Sequence, residues 1–287
     1  TSNGKAWPNA LNLVGNAQTH TLADNWDVDG LLNLGTAGAT TINGFQITAS
    51  AGLTVGGGSG GATSGTTNLI LDGTGTLTNG GVFSLKNNLT INTAGTITFA
   101  SGNTFIYNTG TLTYTAGTVV TTGSTLAVSG TTTLAISGIT WDNVNLYGVS
   151  TMTLNENITL TGLLTLTSST NAITINGNTI NASGGVRHGG TSAIVSGTTV
   201  INVNGTGTLD APSATSGRID NPITINAPGG TVTVAATFRI LLNQLLYTAG
   251  TVVTDTGTWG AGPSRRMRLF EGFRIKLISG RLIIRQR

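Results

Sequence analysis

The amino-acid sequence predicts an all-β fold, a β-solenoid resembling a parallel β-helix, that ends in a C-terminal β-hairpin. Three observations predict it: the composition, short runs in which apolar and polar residues alternate, and a phrase that the chain uses twice. The eight residues from Tyr114 to Thr121 read Tyr-Thr-Ala-Gly-Thr-Val-Val-Thr, and the same letters return from Tyr247 to Thr254. In stacked coils, equivalent residues of successive coils lie above one another, so the same residue types suit the same positions and such repetition is expected. Asn-Gly pairs would also suit hairpins of an antiparallel sandwich, but a sandwich has no reason to reuse the phrase.

The composition supports a β-structure with a polar, nearly uncharged surface. The protein has 55 threonines and 43 glycines, whereas charged residues make up only 8%. Threonine suits an exposed strand face, because its β-branched side chain fits the pleat and its hydroxyl contacts water. The hydrophobic content of 38%, placed at alternate positions, argues against disorder. Proline is rare, with five residues, as expected where stacked coils use every backbone donor.

The chain divides into three predicted segments. Residues 1–30 are interpreted as an N-terminal lead-in or cap, and residues 31–262 as the solenoid body with about 20 residues per coil. Strand-like alternation begins near Leu32-Asn-Leu34 and recurs between Asn-Gly, Ala-Gly and Ser-Gly pairs. The run of small residues at 56–66 predicts a loop that leaves the body. No window of the body shows helical spacing with caps.

The third segment, residues 263–287, predicts a basic β-hairpin. Eight of the 13 Lys and Arg lie after residue 264, where Glu271 is the only acid. Apolar and basic residues alternate there, and Ser279-Gly280 predicts the turn. Because a two-stranded hairpin is marginally stable alone, we expect its apolar residues to form the interface of a homo-oligomer. These residues are Leu269, Phe270, Phe273, Ile275, Leu277, Leu282, Ile283 and Ile284.

One segment resembles a metal site. Asn25, Asp27 and Asp29, followed by Gly30, match the start of a calcium loop, in which alternate oxygens face one ion. The twelfth position of that loop is Thr36 rather than a bidentate glutamate, so we favour an acidic turn before the first coil. The absence of cysteine excludes thiolate nucleophiles and cysteine-ligated zinc. We expect no cofactor.

No catalytic residue is assigned from the sequence. Glycan cleavage needs converging carboxylates, and Asp142 with Glu156, or Asp210 with Asp220, could stack on neighbouring coils. Because acids are few, we interpret these pairs as chance and predict that the protein is not an enzyme, with a polysaccharide depolymerase as the alternative. His188 lies within Gly-Gly-Val-Arg-His-Gly-Gly, which predicts a histidine in a surface loop.

Two classes of partner are not expected. The basic tail could meet phosphates, but it lacks a recognition helix and stacking aromatics, so we do not expect nucleic acid as a partner. No apolar run approaches the ~18 residues that a membrane helix requires, so we expect no membrane span.

The Thr-Leu-Thr-Tyr-Thr-Ala-Gly-Thr phrase at 111–118 is followed by Gly138-Ile-Thr-Trp-Asp-Asn-Val-Asn-Leu146 and by Leu163-Leu-Thr-Leu-Thr. These segments resemble the Thr/Gly/Asn-rich β-solenoids of bacteriophage tail fibres and tailspikes, and they are also similar to repeats of bacterial surface adhesins. The resemblance covers about residues 31–262 and rests on composition and architecture. It implies a structural or receptor-binding protein of the virion surface, a homotrimer that contacts other virion proteins or a host-surface glycan. An adhesin would instead lie on the bacterial extracellular surface.

Overall fold

The structure is a computed structural model that describes residues 6–13, 17–35, 39–56, 63–79, 83–167, 172–189, 194–211, 218–235, 238, 245–254, 273–278 and 281–286. These residues form an all-β fold without helices, and most of the strands pair in parallel between successive turns. The predicted β-solenoid is thereby confirmed. The protein divides into two compact units, Thr1–Asp142 and Asn143–Arg287, which are described separately.

The first unit consists of short strands that recur three to a turn. They are β1 (Ala6–Trp7), β2 (Leu11–Leu13), β3 (Gln18–Thr21), β4 (Trp26–Val28), β5 (Leu32–Leu34), β6 (Thr40–Asn43), β7 (Gln46–Ala49), β8 (Gly52–Val55), β9 (Thr63–Ser64), β10 (Asn68–Leu71), β11 (Gly75–Asn79), β12 (Phe83–Leu85), β13 (Leu89–Phe99), β14 (Thr104–Tyr107), β15 (Gly110–Val120), β16 (Thr125–Ala135) and β17 (Thr140–Trp141).

Three parallel ladders run through the first unit. One follows β1, β4, β7, β10 and β13, the second follows β2, β5, β8, β11 and β13, and the third follows β3, β6, β9, β12 and β14. Strand β13 belongs to two ladders because it turns a corner at a register shift. Partners are 20 residues apart where Leu69 faces Leu89 and 24 apart where Leu53 faces Leu77. The spacing is close to the expected coil length.

Alternation along each strand builds the core. In β5, Leu32 and Leu34 are buried at 1% exposure while Asn33 lies between them on the outer face. Leu32 stacks on Leu53 of the next turn and Leu34 on Val55. Fully burying such a side chain stabilises the fold by roughly 1.5–3 kcal/mol, so the repeated apolar pair of each strand fixes which face points inward.

The residues that we interpreted as a lead-in contribute strands to the same ladders. Leu11 faces Leu32 and Leu13 faces Leu34, because Leu11-Asn-Leu13 repeats the alternation of β5. The ladders therefore begin upstream of residue 31. Of the predicted loop at 56–66, residues 57–62 lie outside the described residues, whereas Thr63 is buried in β9 and faces Thr40.

The second unit continues this plan. Its strands are β18 (Asn143–Leu154), β19 (Ile158–Leu160), β20 (Leu164–Thr167), β21 (Ile173–Gly177), β22 (Ile180–Ala182), β23 (Gly185–His188), β24 (Ile194–Ser196), β25 (Ile201–Val203), β26 (Gly207–Asp210), β27 (Arg218–Ile219), β28 (Ile223–Val234), β29 (Leu245–Thr254), β30 (Phe273–Ile278) and β31 (Arg281–Gln286). Parallel ladders run from β18 through β20, β23 and β26 to β28, from β18 through β21 and β24 to β27, and from β19 through β22 and β25 to β28.

The second unit ends in antiparallel pairing. Strands β30 and β31 form the predicted hairpin, with Phe273 opposite Gln286 and Ile278 opposite Arg281. Strand β31 also pairs with β29, where Val252 faces Ile284. The predicted turn residues Ser279 and Gly280 and the interface residues Leu269 and Phe270 lie outside the described residues, so the oligomer interface stays a prediction.

The two units share more than the repeated phrase. Thr41-Ile-Asn-Gly44 recurs as Thr174-Ile-Asn-Gly177, and Gly73-Thr-Gly-Thr-Leu77 recurs as Gly205-Thr-Gly-Thr-Leu209, at offsets of 133 and 132 residues. The phrase lies in β15, except for Thr121, and in β29. Strand β15 pairs with β13, and β29 pairs with β28, across the same kind of register shift.

Equivalent residues also make equivalent hydrogen bonds. The Tyr114 hydroxyl donates to the Gly117 carbonyl, and the Tyr247 hydroxyl donates to the Gly250 carbonyl. Gly117 and Gly250 have φ of 111° and 109°, values that favour glycine. The protein therefore contains a structural duplication, and each unit serves as an internal comparison for the other.

Candidate functional site

The outer faces of the ladders carry rows of hydroxyl and amide groups. In the first unit, Asn33 Nδ2 donates to Asn12 Oδ1 at 2.6 Å, and the hydroxyl oxygens of Thr54 and Thr78 are 2.8 Å apart. In the second unit, Asn202 Nδ2 donates to Asn181 Oδ1 at 2.9 Å. These bonds hold the side chains of successive turns in fixed positions. The surface that they form is polar and uncharged.

Asparagines at the corners join one turn to the next. Asn88 Oδ1 accepts from the Thr111 N–H at 2.9 Å, and Asn25 Oδ1 accepts from the Gln46 N–H at 3.2 Å. The oxygen that Asn25 would offer to a metal is thus already used by the backbone.

The other two metal candidates lie on a ladder strand and just after it. Asp27 belongs to β4, where it is exposed and faces Thr48 of β7. Asp29 is exposed, and its N–H donates to the Trp7 carbonyl. The acidic turn that we expected is therefore wrong at Asp27, because the flanking Trp26 and Val28 carry the alternation of a strand. Within the described ranges, no three His, Cys, Asp or Glu residues group in a way that could hold a metal ion.

Three of the four acids considered for catalysis bond to groups other than a second acid. Asp210 Oδ2 accepts from Arg187 Nε at 3.2 Å, and Asp220 Oδ1 accepts from Arg218 Nε at 2.7 Å. The hydrogen bond and the charge of Asp220 raise the pKa of the Arg218 guanidinium above its ordinary value. Asp142, in the first unit, accepts from the Gly123 N–H. The Asp210 and Asp220 carboxylates thus belong to two different ion pairs.

His188 lies in the core rather than in the expected surface loop. It is 2% exposed, ends strand β23 and faces Leu166 of β20. In the duplication it takes the place of Val55, since Gly185-Val-Arg-His-Gly matches Gly52-Leu-Thr-Val-Gly. The loop prediction is wrong because the flanking glycines lie at corners, where Gly185 has a φ of 100°, and not within a loop.

Of the described tryptophans, Trp7 is exposed, at 43%, and Trp26 is half-buried. Trp141 is fully buried, with its ring 4.8 Å from that of Phe99. Trp7 and Trp26 pack against each other at 6.0 Å and an angle of 50°, and Trp26 Nε1 donates to Asp24. Trp259 lies outside the described residues.

Phe45 is the most exposed large apolar side chain that the structure describes, at 54%. It follows Gly44, whose φ is 101°, and it precedes β7. The equivalent residue of the second unit is Asn178, whose Nδ2 donates to the Leu154 carbonyl at 3.0 Å. The fold therefore does not require an aromatic residue at this corner.

Polar side chains lie on the strand that follows Phe45 and on the turn before it. Gln46 Nε2 donates to Thr48 Oγ1 at 3.1 Å, the Gln46 N–H donates to Asn25 Oδ1, and Asp27 faces Thr48 in the ladder. We call this surface the Phe45 patch; it comprises Phe45, Gln46, Thr48, Asn25 and Asp27. It combines one aromatic ring with hydroxyl, amide and carboxylate groups, a set that can contact a ligand with both apolar and hydrogen-bonding faces.

Sequence reasoning missed this patch. The alternation of Phe45-Gln-Ile-Thr48 predicts a strand with Phe45 and Ile47 on one face, but the strand begins at Gln46. The signal that could have identified the patch is the difference between Phe45 and Asn178, which occupy equivalent positions in the two copies.

Comparison of the sequence with protein-family models, with curated proteins and with solved structures found no match. Nowhere in the described part of the protein is there a helix long and apolar enough to cross a membrane.

Proposed function

We propose that this protein is a structural or receptor-binding β-solenoid of the kind carried by phage tail fibres and tailspikes, and that its Phe45 patch contacts a host-surface glycan. The observation that carries the proposal is the 54% exposure of Phe45 at a corner where the other copy of the repeat has an asparagine. Exposing a phenyl ring to water is unfavourable in free energy, and the fold does not need the ring at this position. A bound ligand that covers the ring would remove this unfavourable exposure.

The patch suits a sugar chemically. A sugar ring has an apolar C–H face, which can lie on the phenyl ring of Phe45, and hydroxyl groups, which can bond to Gln46 and Asp27. Gln46 and Thr48 already bond to each other, so little side-chain entropy is lost on binding.

The hairpin supports self-association, and we propose a homotrimer, as the resemblance to phage fibres implies. Strand β31 lies between β29 and β30, and β30 has no partner on its other edge among the described residues. An open strand edge invites pairing with another polypeptide, and a symmetric oligomer would cover it. A virion surface is the location that we propose for such an assembly.

The alternative of a polysaccharide depolymerase has less support. A glycosidase mechanism uses two carboxylates that flank one bond, whereas Asp210 and Asp220 each pair with an arginine. A bacterial surface adhesin would use the Phe45 patch in the same way as a fibre.

The test replaces Phe45 by the residue of the other copy. The Phe45→Asn variant and the wild type are applied to a glycan array that includes bacterial lipopolysaccharide and capsule fragments. We expect the variant to lose binding by about tenfold or more, the loss of one good aromatic contact. The control is Leu246→Ala, which removes an equally exposed apolar side chain, 53% exposed, from the second unit. Full binding by a folded Phe45→Asn variant would refute the proposal.

A further inference from the structure

We propose that Asn204–Gly205 in the second unit is a site of spontaneous deamidation, whereas the fold protects Asn43–Gly44 and Asn176–Gly177 from the same reaction. All three pairs lie within the described residues. Two further Asn-Gly pairs, at 3–4 and 79–80, include residues outside the described ranges.

The reaction needs only water. The backbone nitrogen of the glycine attacks Cγ of the asparagine and forms a new C–N bond. The original bond between Cγ and Nδ2 breaks, and the amide nitrogen leaves as ammonia with the proton of the attacking nitrogen. Water then opens the cyclic imide at either carbonyl and gives aspartate or isoaspartate. Glycine favours the attack because it has no side chain to obstruct the ring.

In the two protected pairs, a threonine of the next turn holds both reacting groups. The Gly44 N–H donates to Thr66 Oγ1 at 3.1 Å, and the Thr66 N–H donates to Asn43 Oδ1 at 3.2 Å. The second unit repeats the arrangement around Thr198, with distances of 3.0 Å from the Gly177 N–H and 3.2 Å to Asn176 Oδ1.

These reciprocal bonds oppose the reaction. Each attacking nitrogen is occupied, and each amide group is fixed by its oxygen. Two hydrogen bonds must break before the ring can close. The loss of these bonds slows ring closure about tenfold or more.

Asn204 lacks this arrangement. Its side chain is exposed, and its Oδ1 accepts a hydrogen bond from Ser183 Oγ at 3.0 Å. Gly205 N–H donates to no acceptor among the described residues. What distinguishes this pair from the other two is therefore the glycine N–H, because Asn204 Oδ1, like Asn43 Oδ1 and Asn176 Oδ1, accepts a hydrogen bond. The backbone nitrogen of Gly205 is therefore free to attack Cγ of Asn204.

The first unit shows that the fold accepts the aspartate product. Asp72–Gly73 takes the place of Asn204–Gly205 there, and Ser50 Oγ donates to Asp72 Oδ1 at 2.7 Å. After deamidation, Ser183 would make the same bond to the new carboxylate. Aspartate at 204 thus adds a negative charge to this corner and leaves the stacking of the turns intact.

The test is peptide mass spectrometry of the full-length protein during storage at mildly alkaline pH. We expect the mass gain that replaces NH2 by OH to accumulate at Asn204 about tenfold faster than at Asn43 or Asn176. The same protein in denaturant is the control, because there the three peptides should react at similar rates.

Two variants separate the contributions. Thr198→Val removes the hydroxyl that Gly177 uses and should raise the rate at Asn176 alone, and Thr66→Val removes the hydroxyl that Gly44 uses and should raise the rate at Asn43 alone. Equal rates at the three sites in the folded protein, or an Asn204 that retains its amide while the denatured protein reacts, would overturn the proposal.

Discussion

Asn87 and Asn221 occupy the same place in the two units, and the side chain of each ties together three turns. Both are fully buried. Asn87 Nδ2 lies 3.1 Å from the Thr67 carbonyl oxygen and 3.4 Å from that of Ile42. Asn221 Nδ2 has the equivalent bonds, at 3.0 Å to Thr199 and 3.3 Å to Ile175. One amide thereby satisfies carbonyl groups of the two preceding turns.

Replacing Asn87 should destabilise the protein much more than replacing an exposed amide. In Asn87→Ala, the Thr67 and Ile42 carbonyl groups lose the bonds from the buried amide, although Ile42 keeps a bond from the Thr67 N–H. We expect this to cost about 1–3 kcal/mol. Thermal unfolding followed by circular dichroism measures the loss, and the matched control is Asn33→Ala on the outer face, for which we expect less than about 0.5 kcal/mol. Equal effects of the two substitutions would show that the buried amide does not hold the turns.

Tyr107 should make the first unit sensitive to alkaline pH. Its hydroxyl lies 2.6 Å from the Asn87 carbonyl oxygen and 2.7 Å from that of Thr111. Burial raises the pKa of the Tyr107 phenol above its ordinary value. The stabilisation from the neutral phenol is complete below the unfolded pKa of about 10 and is lost as the pH rises toward the folded pKa.

Melting curves from about pH 7 to about pH 11 test this. We expect Tm to fall more steeply above about pH 10 in the wild type than in Tyr107→Phe. The phenylalanine variant should be less stable at neutral pH, because it loses the hydrogen bonds. A variant with the wild-type alkaline slope would mean that another group titrates.

Two glycines of the second unit can be used to separate two costs of substitution: that of a positive φ and that of a steric clash with the neighbouring turn. Gly185 and Gly229 both have positive φ, 100° and 74°. A Cβ at Gly185 would overlap the Thr208 backbone, whereas one at Gly229 has nothing within 4 Å. We expect Gly229→Ala to cost about 1 kcal/mol, from the backbone conformation alone, and Gly185→Ala clearly more. Urea denaturation gives both values; similar losses would mean that the turns can move apart.

The C-terminal hairpin should govern self-association. Deleting residues 264–287 should convert an oligomer into monomers or aggregates and leave the β spectrum of the body largely intact. Light scattering of the wild type and the truncated protein measures the mass. A milder variant, Ile275→Ser with Leu277→Ser, keeps the hairpin charges and serves as the second test. A truncated protein that keeps the oligomeric mass would show that the hairpin only covers the last turn.

The sequence was sufficient for the fold class but not for the burial of particular polar residues. Alternation as in Leu32-Asn-Leu34 and the shared phrase of β15 and β29 are local signals, and they predict stacked parallel strands. The burial of Asn87 was not predictable in this way, because it depends on carbonyl groups of Thr67 and Ile42, far earlier in the sequence.

The candidate site illustrates the same difference. The burial of His188 depends on Gly185, which lies at a corner between two strands. In the sequence alone, a pair of adjacent glycines fits either a corner or a loop. The exposure of Phe45 depends on Gly44, which ends one strand before the next begins. Both become visible only when the two copies of the repeat are compared position by position.

Parallel ladders restrict how such a protein can lengthen. Parallel partners lie 20 to 25 residues apart, so the corners absorb small differences in length. An insertion within a strand would instead move the later apolar side chains of that strand off its ladder. The offset between Asn87 and Asn221 is 134 residues, which corresponds to about six turns. Genetic duplication can therefore extend this protein in steps of whole turns, and each added turn brings its own corner residues as new sites for variation.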